Sequence, residues 1–363
     1  MGICRYCKRP AGLFRQAHPE CEQKHREGQA MIHHAIKQVL QNPQLLPTIK
    51  EQLPAICKEH FFTSEELLET LASGWVSEAS QEIENKRVTL DKWAAFMELK
   101  HAFKITKPEL ERRLAQTAVV TELVRAITSG QSPGEVEATL AEIKSILLSG
   151  HWREALIEGW ETTVETFLSD KLINAREEER LLAYARYFGL ADEELDRNGA
   201  FTRVVKSIVL RELCEGKIPQ RVQIEGKLPF NFQKNEKIIW VFKNVQYYED
   251  RKRRQYVGGH SGFSIRIAKG VYYRVGAFKG HPVDTVERVY LGAGMLVVTD
   301  RHLYFKSEQK AFRIRLDKII MIEPYSDGVA IQRDAQTALP QTFITGDGWF
   351  TYNLLVNIPH AVK

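Results

Sequence analysis

Four residues near the N-terminus have the types and spacing of a metal site: Cys4-x2-Cys7, a ten-residue interval, then His18-x2-Cys21. Two ligands on a tight turn and two at a helix start can surround one ion tetrahedrally, and Zn²⁺ takes thiolate and imidazole donors in that geometry. Four protein ligands leave no position for water or substrate, so the expected role of the ion is structural rather than catalytic. Gly12 permits a tight turn in the intervening hairpin. Pro19 opens the helix that carries Cys21. His25, one turn beyond Cys21, is a rival fourth ligand, but the paired spacing of His18 and Cys21 ranks His18 first.

Other residues invite weaker readings. Arg5, Lys8, Arg9 and Arg15 cluster on the same segment with Tyr6 and Phe14 between them. Cationic side chains can neutralise phosphates and aromatic faces can stack on bases; the same residues also keep a small finger soluble. The run Arg251, Lys252, Arg253 and Arg254 follows Tyr247-Tyr248-Glu249-Asp250. It reads as a solvated hairpin tip, or as a basic loop between strands that meets phosphates or anionic headgroups. In GGHSGFS, Gly258, Gly259 and Gly262 flank His260 and Ser261, but the spacing is not that of a nucleophile elbow. A flexible loop or a β-bulge is expected there. His33 and His34 are neighbours in a helix and cannot both face one site. Cys57 and Cys214 are isolated in apolar stretches and are expected to be small buried hydrophobes. No phosphate-cradling loop, H-E-x-x-H or dinucleotide fingerprint is found, and no nucleophile, base and orienting group assemble. An enzyme is therefore the least expected class, and no small-molecule substrate is inferred.

These residues must be positioned by a chain of 363 residues, 44% hydrophobic and 27% charged, enough for two or three domains with their own cores. No apolar run reaches the roughly 20 residues of a membrane span. No apolar signal region opens the sequence, and the expected location is the cytoplasm. The net charge of +5 is unevenly spread. Residues 1–62 carry 9 basic against 5 acidic side chains, 63–133 carry 9 against 11, 134–218 carry 11 against 17, and 219–363 carry 22 against 13. An acidic middle between basic ends suggests separate modules with different surfaces.

Residues 1–62 read as the finger and connecting helices. From Pro19, apolar residues Ile32, Ala35, Ile36 and Val39 recur at helical spacing until Asn42-Pro43 ends the run, and a second helix follows around residues 47–61. The finger resembles treble-clef and short zinc-ribbon motifs. The middle repeats itself at an offset of 85 residues: Gly74-Trp75 falls on Gly159-Trp160, Phe103 on Phe188, Ile105 on Leu190 and Glu109-Leu110 on Glu194-Leu195. Two equivalent helical units are expected, 63–133 and 134–218, each of three or four helices with short connections. The segment DKLINAREEERLLAYARYFGLADEEL, from Asp170, resembles the tellurite-resistance TerB-like family. Some members hold a metal at the acidic turn, but Lys171 and Asn85 depart from that pattern. Asp170 and Asn174 are read instead as helix caps.

Helical periodicity stops near Pro219, and short β-branched and aromatic runs take over through residue 363. IIWVF, FSIRIA, VYYRVGAF, MLVVT, LYFKS, FRIRL, IIMIEPY and VAIQRD each read as a strand, with a hairpin signal at Asp327-Gly328. The segment from Gly292 to Asp334 resembles bacterial pleckstrin-homology and GRAM-like domains, which implies a partly open antiparallel barrel or sandwich with a closing C-terminal helix. The expectation is a multidomain α + β chain: a zinc finger, a duplicated all-α bundle and a pleckstrin-homology-like β-domain. The expected function is non-enzymatic recognition by an adaptor with a protein partner, in a bacterial stress or anti-phage setting that comes from the company such modules keep. A nucleic-acid-binding regulator and a protein at an anionic membrane surface are the alternatives.

Overall fold

The computed structural model describes the chain apart from residues 1, 13–14, 170–171, 223, 225, 227, 269–270, 336–337 and 362–363, and apart from the side chains of residues 252–286. It divides into two compact units, Met1–Thr202 and Arg203–Lys363.

The first unit opens with a small antiparallel pair, β1 (Gly2–Ile3) and β2 (Pro10–Gly12), and continues into α1 (Pro19–Gln41). Asn42 ends α1 and its side chain caps a short 3₁₀ turn at Pro43–Leu45. The helices α2 (Leu46–His60), α3 (Ser64–Glu84), α4 (Leu90–Phe103) and α5 (Pro108–Ser129) follow. Then come α6 (Pro133–Thr139), α7 (Ala141–Ile146), α8 (Ser149–Leu168), α9 (Ala175–Tyr187) and α10 (Asp192–Leu195). The chain passes between the units in α11 (Ala200–Cys214). Reciprocal capping boxes start three of these helices: Thr63 with Glu66, Ser132 with Glu135, and Asn174 with Glu177. Asp170 and Lys171 lie outside the described residues.

The segments 85 residues apart fold alike. Trp75 and Trp160 are fully buried, and their indole N–H groups donate to the Phe96 and Leu181 carbonyls at 3.0 and 2.9 Å. Gly74 and Gly159 let a neighbouring helix close in. A Cβ would meet Ile36 of α1 at 2.6 Å in one case and Leu123 of α5 at 2.7 Å in the other. α1 therefore stands to α3 as α5 stands to α8. Because α5 also touches α3 and α4, it closes the first set of helices and opens the second. Leu114, Ala115, Val119, Leu123, Ala126 and Ile127 are buried along it, so its apolar residues wrap most of the helix rather than one stripe.

The turn after α4 also recurs. Lys104 at φ 54° and Gly189 at φ 60° both take the left-handed conformation, and Ile105 and Leu190 donate to the Lys100 and Ala185 carbonyls at 3.0 and 2.9 Å. A side chain in that region costs roughly 1 kcal/mol that glycine does not incur, part of which glycine returns through unfolded-chain entropy. Lys104→Gly should stabilise the chain by about 0.5 kcal/mol, and Gly189→Lys should destabilise it; urea denaturation of the two variants checks the opposite signs.

Glu194 gives this unit an acid-sensitive contact. Arg153 holds its carboxylate through one guanidinium edge, Nε and Nη2 donating to the two oxygens (2.8 and 2.6 Å), the Ala191 amide adds a further donor, and together they bring its pKa down to about 2. A depressed carboxylate stabilises the fold above the ordinary value of about 4.3, and that contribution fades as pH falls toward 2. Arg153→Met should therefore narrow the difference in melting temperature between pH 5 and pH 3; an unchanged difference would show that the pair adds nothing there.

The second unit is a seven-stranded antiparallel sheet in the order β6-β5-β4-β3-β9-β8-β7. Its strands are β3 (Ile238–Ala268), β4 (Val271–Thr299), β5 (His302–Ser307), β6 (Ala311–Arg315), β7 (Ile319–Pro324), β8 (Gly328–Arg333) and β9 (Gln341–Ile344). Tyr247, Phe305, Phe312 and Phe343 form its aromatic core. α12 (Gly348–Ala361) packs Phe350 against Trp240 and Phe242. Asp347 starts α12, accepting the Phe350 amide at 3.0 Å, and its other carboxylate oxygen meets Lys206 at 2.7 Å.

Two strands are far longer than the sequence runs suggest. IIWVF and FSIRIA are one strand, β3, and VYYRVGAF and MLVVT are one strand, β4. The sheet neighbours β9 and β5 pair only with Gln246–Glu249 and Gly294–Val298, so β3 and β4 continue past Asp250 as a two-stranded ribbon. Arg251–Arg254 are accordingly not at a hairpin tip; their backbones pair with Glu287, Val286, Thr285 and Asp284. Nor does GGHSGFS form a loop or bulge. Gly258 pairs with Gly280 and Gly262 with Gly276 without a register shift. Cys57 is half-buried and Cys214 exposed, so the expectation of two buried hydrophobes fails; both fall toward the ends of helices that are apolar on one side only.

Candidate metal centre

The loop between β1 and β2 is shaped by backbone hydrogen bonds that turn both cysteines to one side. The Cys4 amide donates to the Arg9 carbonyl at 2.8 Å, and the Lys8 amide donates to the Cys4 carbonyl at 2.9 Å. Lys8, the residue after Cys7, takes φ 58° to close this turn. His18 is the N-cap of α1 with extended backbone, and Pro19 occupies the first helical turn. Cys21 therefore emerges from that first turn, beside the two cysteines of the hairpin.

The Sγ atoms of Cys4, Cys7 and Cys21 and one ring nitrogen of His18 all lie within 4.8 Å of one another. His18 Nδ1 is 3.4 Å from Cys7 Sγ and 3.7 Å from Cys21 Sγ. Its other nitrogen, Nε2, is 2.9 Å from the Pro10 carbonyl. A carbonyl only accepts, so Nε2 carries the proton and Nδ1 turns its lone pair toward the sulfurs. This is the outer hydrogen bond that fixes the tautomer of a metal-bound histidine. The sequence gives no sign of it, because the partner is a main-chain oxygen.

The thiols respond in opposite directions. Burial disfavours the Cys4 thiolate, but amide hydrogen bonds at Cys7, His18 and Tyr6 outweigh it and bring the group to about 6. Burial and the sulfurs of Cys7 and Cys4 push Cys21 up to about 11. The Pro10 carbonyl, with Cys7 and Cys4, raises His18. Cys4 is thus favoured as thiolate while Cys21, half-buried beside two other sulfurs, is held back from it, a penalty that a cation among the three sulfurs would relieve. The four residues can hold a metal ion.

His25 belongs to a different structure. It is buried, its Nδ1 donates to the His60 carbonyl at 3.0 Å, and its ring lies between Tyr6 (4.7 Å between centroids) and Phe62 (4.2 Å). His60 answers with Nδ1 donating to the Lys24 carbonyl at 2.6 Å. The two histidines clasp the end of α2 to α1 and place that clasp against Tyr6 in the cysteine turn. His33 faces α3 beside Gly74, and His34 is exposed.

The basic residues of the finger are exposed but partly engaged. The Arg5 guanidinium lies 4.7 Å from the Tyr6 ring centre and donates to its hydroxyl at 2.6 Å, and Lys8 Nζ donates to the Arg5 carbonyl at 2.8 Å. Arg9 and Arg15 are exposed, and Phe14 lies outside the described residues. In the second unit, Arg251 is exposed with a guanidinium nitrogen 3.5 Å from the Glu249 carboxylate. The side chains of Lys252, Arg253 and Arg254 lie outside the described residues. Among the described residues, no helix is long and apolar enough to cross a membrane.

No family model matches the chain, and no curated protein does. Two solved structures align along most of its length. One is the complex of PDZ-RhoGEF DH/PH domains with GTP-gamma-S activated RhoA, at 13% identity over 97% of this chain and 96% of that one, with a TM-score of 0.19. The other is an N-terminally truncated linker-DH/PH domain structure of p115-RhoGEF, at 10% identity over 95% and 98%, also with a TM-score of 0.19. Superpositions this poor carry nothing over to the fold or function of this chain.

Proposed function

We propose that the chain is a non-enzymatic zinc-binding recognition protein whose metal is structural. The observation that carries this reading is the closed Cys4, Cys7, His18 and Cys21 donor set. With Zn–S near 2.3 Å and Zn–N near 2.05 Å, a tetrahedron separates sulfur from nitrogen by roughly 3.6 Å. The 3.4 and 3.7 Å separations at His18 bracket that value. The bound ion would cross-link the β1–β2 hairpin to the start of α1. Cys4 and Cys7 fix the hairpin end of that link, and His18 and Cys21 fix the helix end. The Pro10 carbonyl keeps the imidazole in its ligating tautomer.

On this reading the paired helical units are TerB-like and the C-terminal unit is a pleckstrin-homology-like module. Support for the second comes from its seven antiparallel strands followed by one helix packed on Trp240 and Phe242. The modules act as an adaptor for a protein partner in the cytoplasm, in a bacterial stress or anti-phage pathway. The engagement of Tyr6 by Arg5 and His25 favours a protein partner over base stacking at the finger.

Metal analysis of the purified full chain tests the carrying observation: one equivalent of zinc is expected, and none after growth with excess metal would overturn it. Filter binding at two salt concentrations tests the partner class. Salt-sensitive nucleic-acid binding near physiological ionic strength would replace the adaptor reading with a nucleic-acid one.

A further inference from the structure

The second unit contains a buried polar cluster that neither the metal centre nor the sheet core requires. Glu236, just ahead of β3, has its side chain fully enclosed. Its carboxylate accepts four hydrogen bonds: from Thr299 Oγ1 at 2.5 Å, His302 Nδ1 at 2.8 Å, the Tyr304 hydroxyl at 2.7 Å and the Gln233 amide at 2.8 Å. Four donors exhaust a carboxylate's capacity and hold it ionised and rigid. Its effect on His302 is specific. With Nδ1 bound to Glu236, the ring orientation is set, and Nε2 is left as the ring's free polar atom.

His302 is 4% exposed, yet it lines a cavity of about 640 Å³. Arg301, Arg313, Arg315 and Asp317 line the same cavity, from the β4–β5 turn, from β6 and from the turn that follows it. Arg315 is held by Asp317 through two hydrogen bonds of 2.9 and 2.6 Å, which fix its guanidinium and leave three of its five N–H groups for a ligand. Arg313 borders the Tyr304 hydroxyl and so continues the chain that begins at Glu236. Among the described residues it has no carboxylate partner. Asp300 also lines the cavity, 3.8 Å from Arg301, so the donors open to a ligand are the Arg313 guanidinium and the remaining N–H groups of Arg315 and Arg301, still more than a two-oxygen carboxylate can use. A tetrahedral anion with several oxygens can engage them together. The space, about 640 Å³ and open to solvent, leaves room for an organic body beyond one such group.

We propose that this cavity binds a phosphate monoester, with phosphoryl oxygens accepting from Arg313 and Arg315 and the P–OH of the monoanion donating to Nε2 of His302, which accepts because Nδ1 carries the ring proton toward Glu236. Glu236 is the positioning residue that aims His302. The ligand class does not depend on the metal-centre reading, since every residue used lies in the second unit.

Isothermal titration of the full chain with inorganic phosphate, O-phosphoserine and a phosphoserine peptide, against acetate at equal ionic strength, tests this. Saturable binding of the phosphate compounds but not of acetate is expected. A single phosphoamino acid binding as well as the peptide would assign the site to small ligands; tighter binding of the peptide would assign it to phosphorylated protein segments. His302→Asn keeps a donor toward Glu236 and removes the Nε2 edge, while Arg313→Gln removes one guanidinium. Each should weaken binding about tenfold, the loss of one charge-assisted hydrogen bond. Far-ultraviolet circular dichroism and the melting temperature should be unchanged in Arg313→Gln, whose side chain is exposed. Absence of phosphate binding, or binding that folded Arg313→Gln and His302→Asn both retain in full, would overturn the proposal.

Discussion

Cys7→Ser should release the metal and unfold the N-terminal hairpin while leaving the helices beyond it folded. The reason is the small amount of structure that the segment otherwise has. β1 and β2 are two and three residues long, and a two-stranded pair of that size is not stable alone. Among its described residues, Cys4 and Ala11 are the buried apolar ones. Structural zinc contributes on the order of 10 kcal/mol to such a unit, more than its packing can supply. In hydrogen exchange, residues 2–18 should lose protection first in Cys7→Ser or in chelated wild type. Loosening should then pass to the His25–His60 clasp, because Tyr6 of the cysteine turn packs on the His25 ring. The discriminating variant is His25→Phe. It keeps the ring contacts with Tyr6 and Phe62 but removes the bond to the His60 carbonyl. It should retain a full equivalent of zinc and lose about 1 kcal/mol of stability. Zinc retained by Cys7→Ser with unchanged exchange would remove the structural role; zinc lost from His25→Phe would make His25 a ligand after all.

The metal ligands were legible because a tetrahedral site imposes paired spacing on the chain itself. Their support was not, because it is main-chain: the Pro10 carbonyl behind His18 and the left-handed Lys8 behind Cys7. Helix starts could be read from side chains that act locally, as at Thr63, Ser132 and Asn174. The ribbon could not. Its glycines and charges are turn formers by composition, and only the long-range pairing of Gly258 with Gly280 and Arg254 with Asp284 makes them strand residues. The Glu236–His302 cluster was hidden for the same reason, its members being separated by 66 residues in sequence. Cys57 and Cys214 were misjudged because an apolar stretch does not say which face of a helix a given position occupies.

The helical unit offers the other large effect. Trp160→Ala should cost about 3–5 kcal/mol, and Trp75→Ala about the same. Both rings are fully buried beside a glycine that admits a neighbouring helix, and both indole N–H groups find their acceptor in a helical carbonyl 21 residues further on. Trp→Phe separates the two contributions. It fills most of the space but removes the indole N–H, whose bond to the Phe96 or Leu181 carbonyl is additional to that carbonyl's own helical bond, a change of roughly 1 kcal/mol. The shared helix decides how the damage spreads. If the units were independent, Trp75→Ala would lower the unfolding transition of α3 and α4 and leave α8 and α9 as they were. α5 instead gives Leu123 to the Gly159 contact while packing on α3 and α4, so loosening one set withdraws support from the other. Urea unfolding followed by hydrogen exchange should therefore show α3, α5 and α8 losing protection in one transition in both variants. Two separated transitions in Trp75→Ala, with α8 and α9 at wild-type protection, would show that α5 belongs to the second set alone.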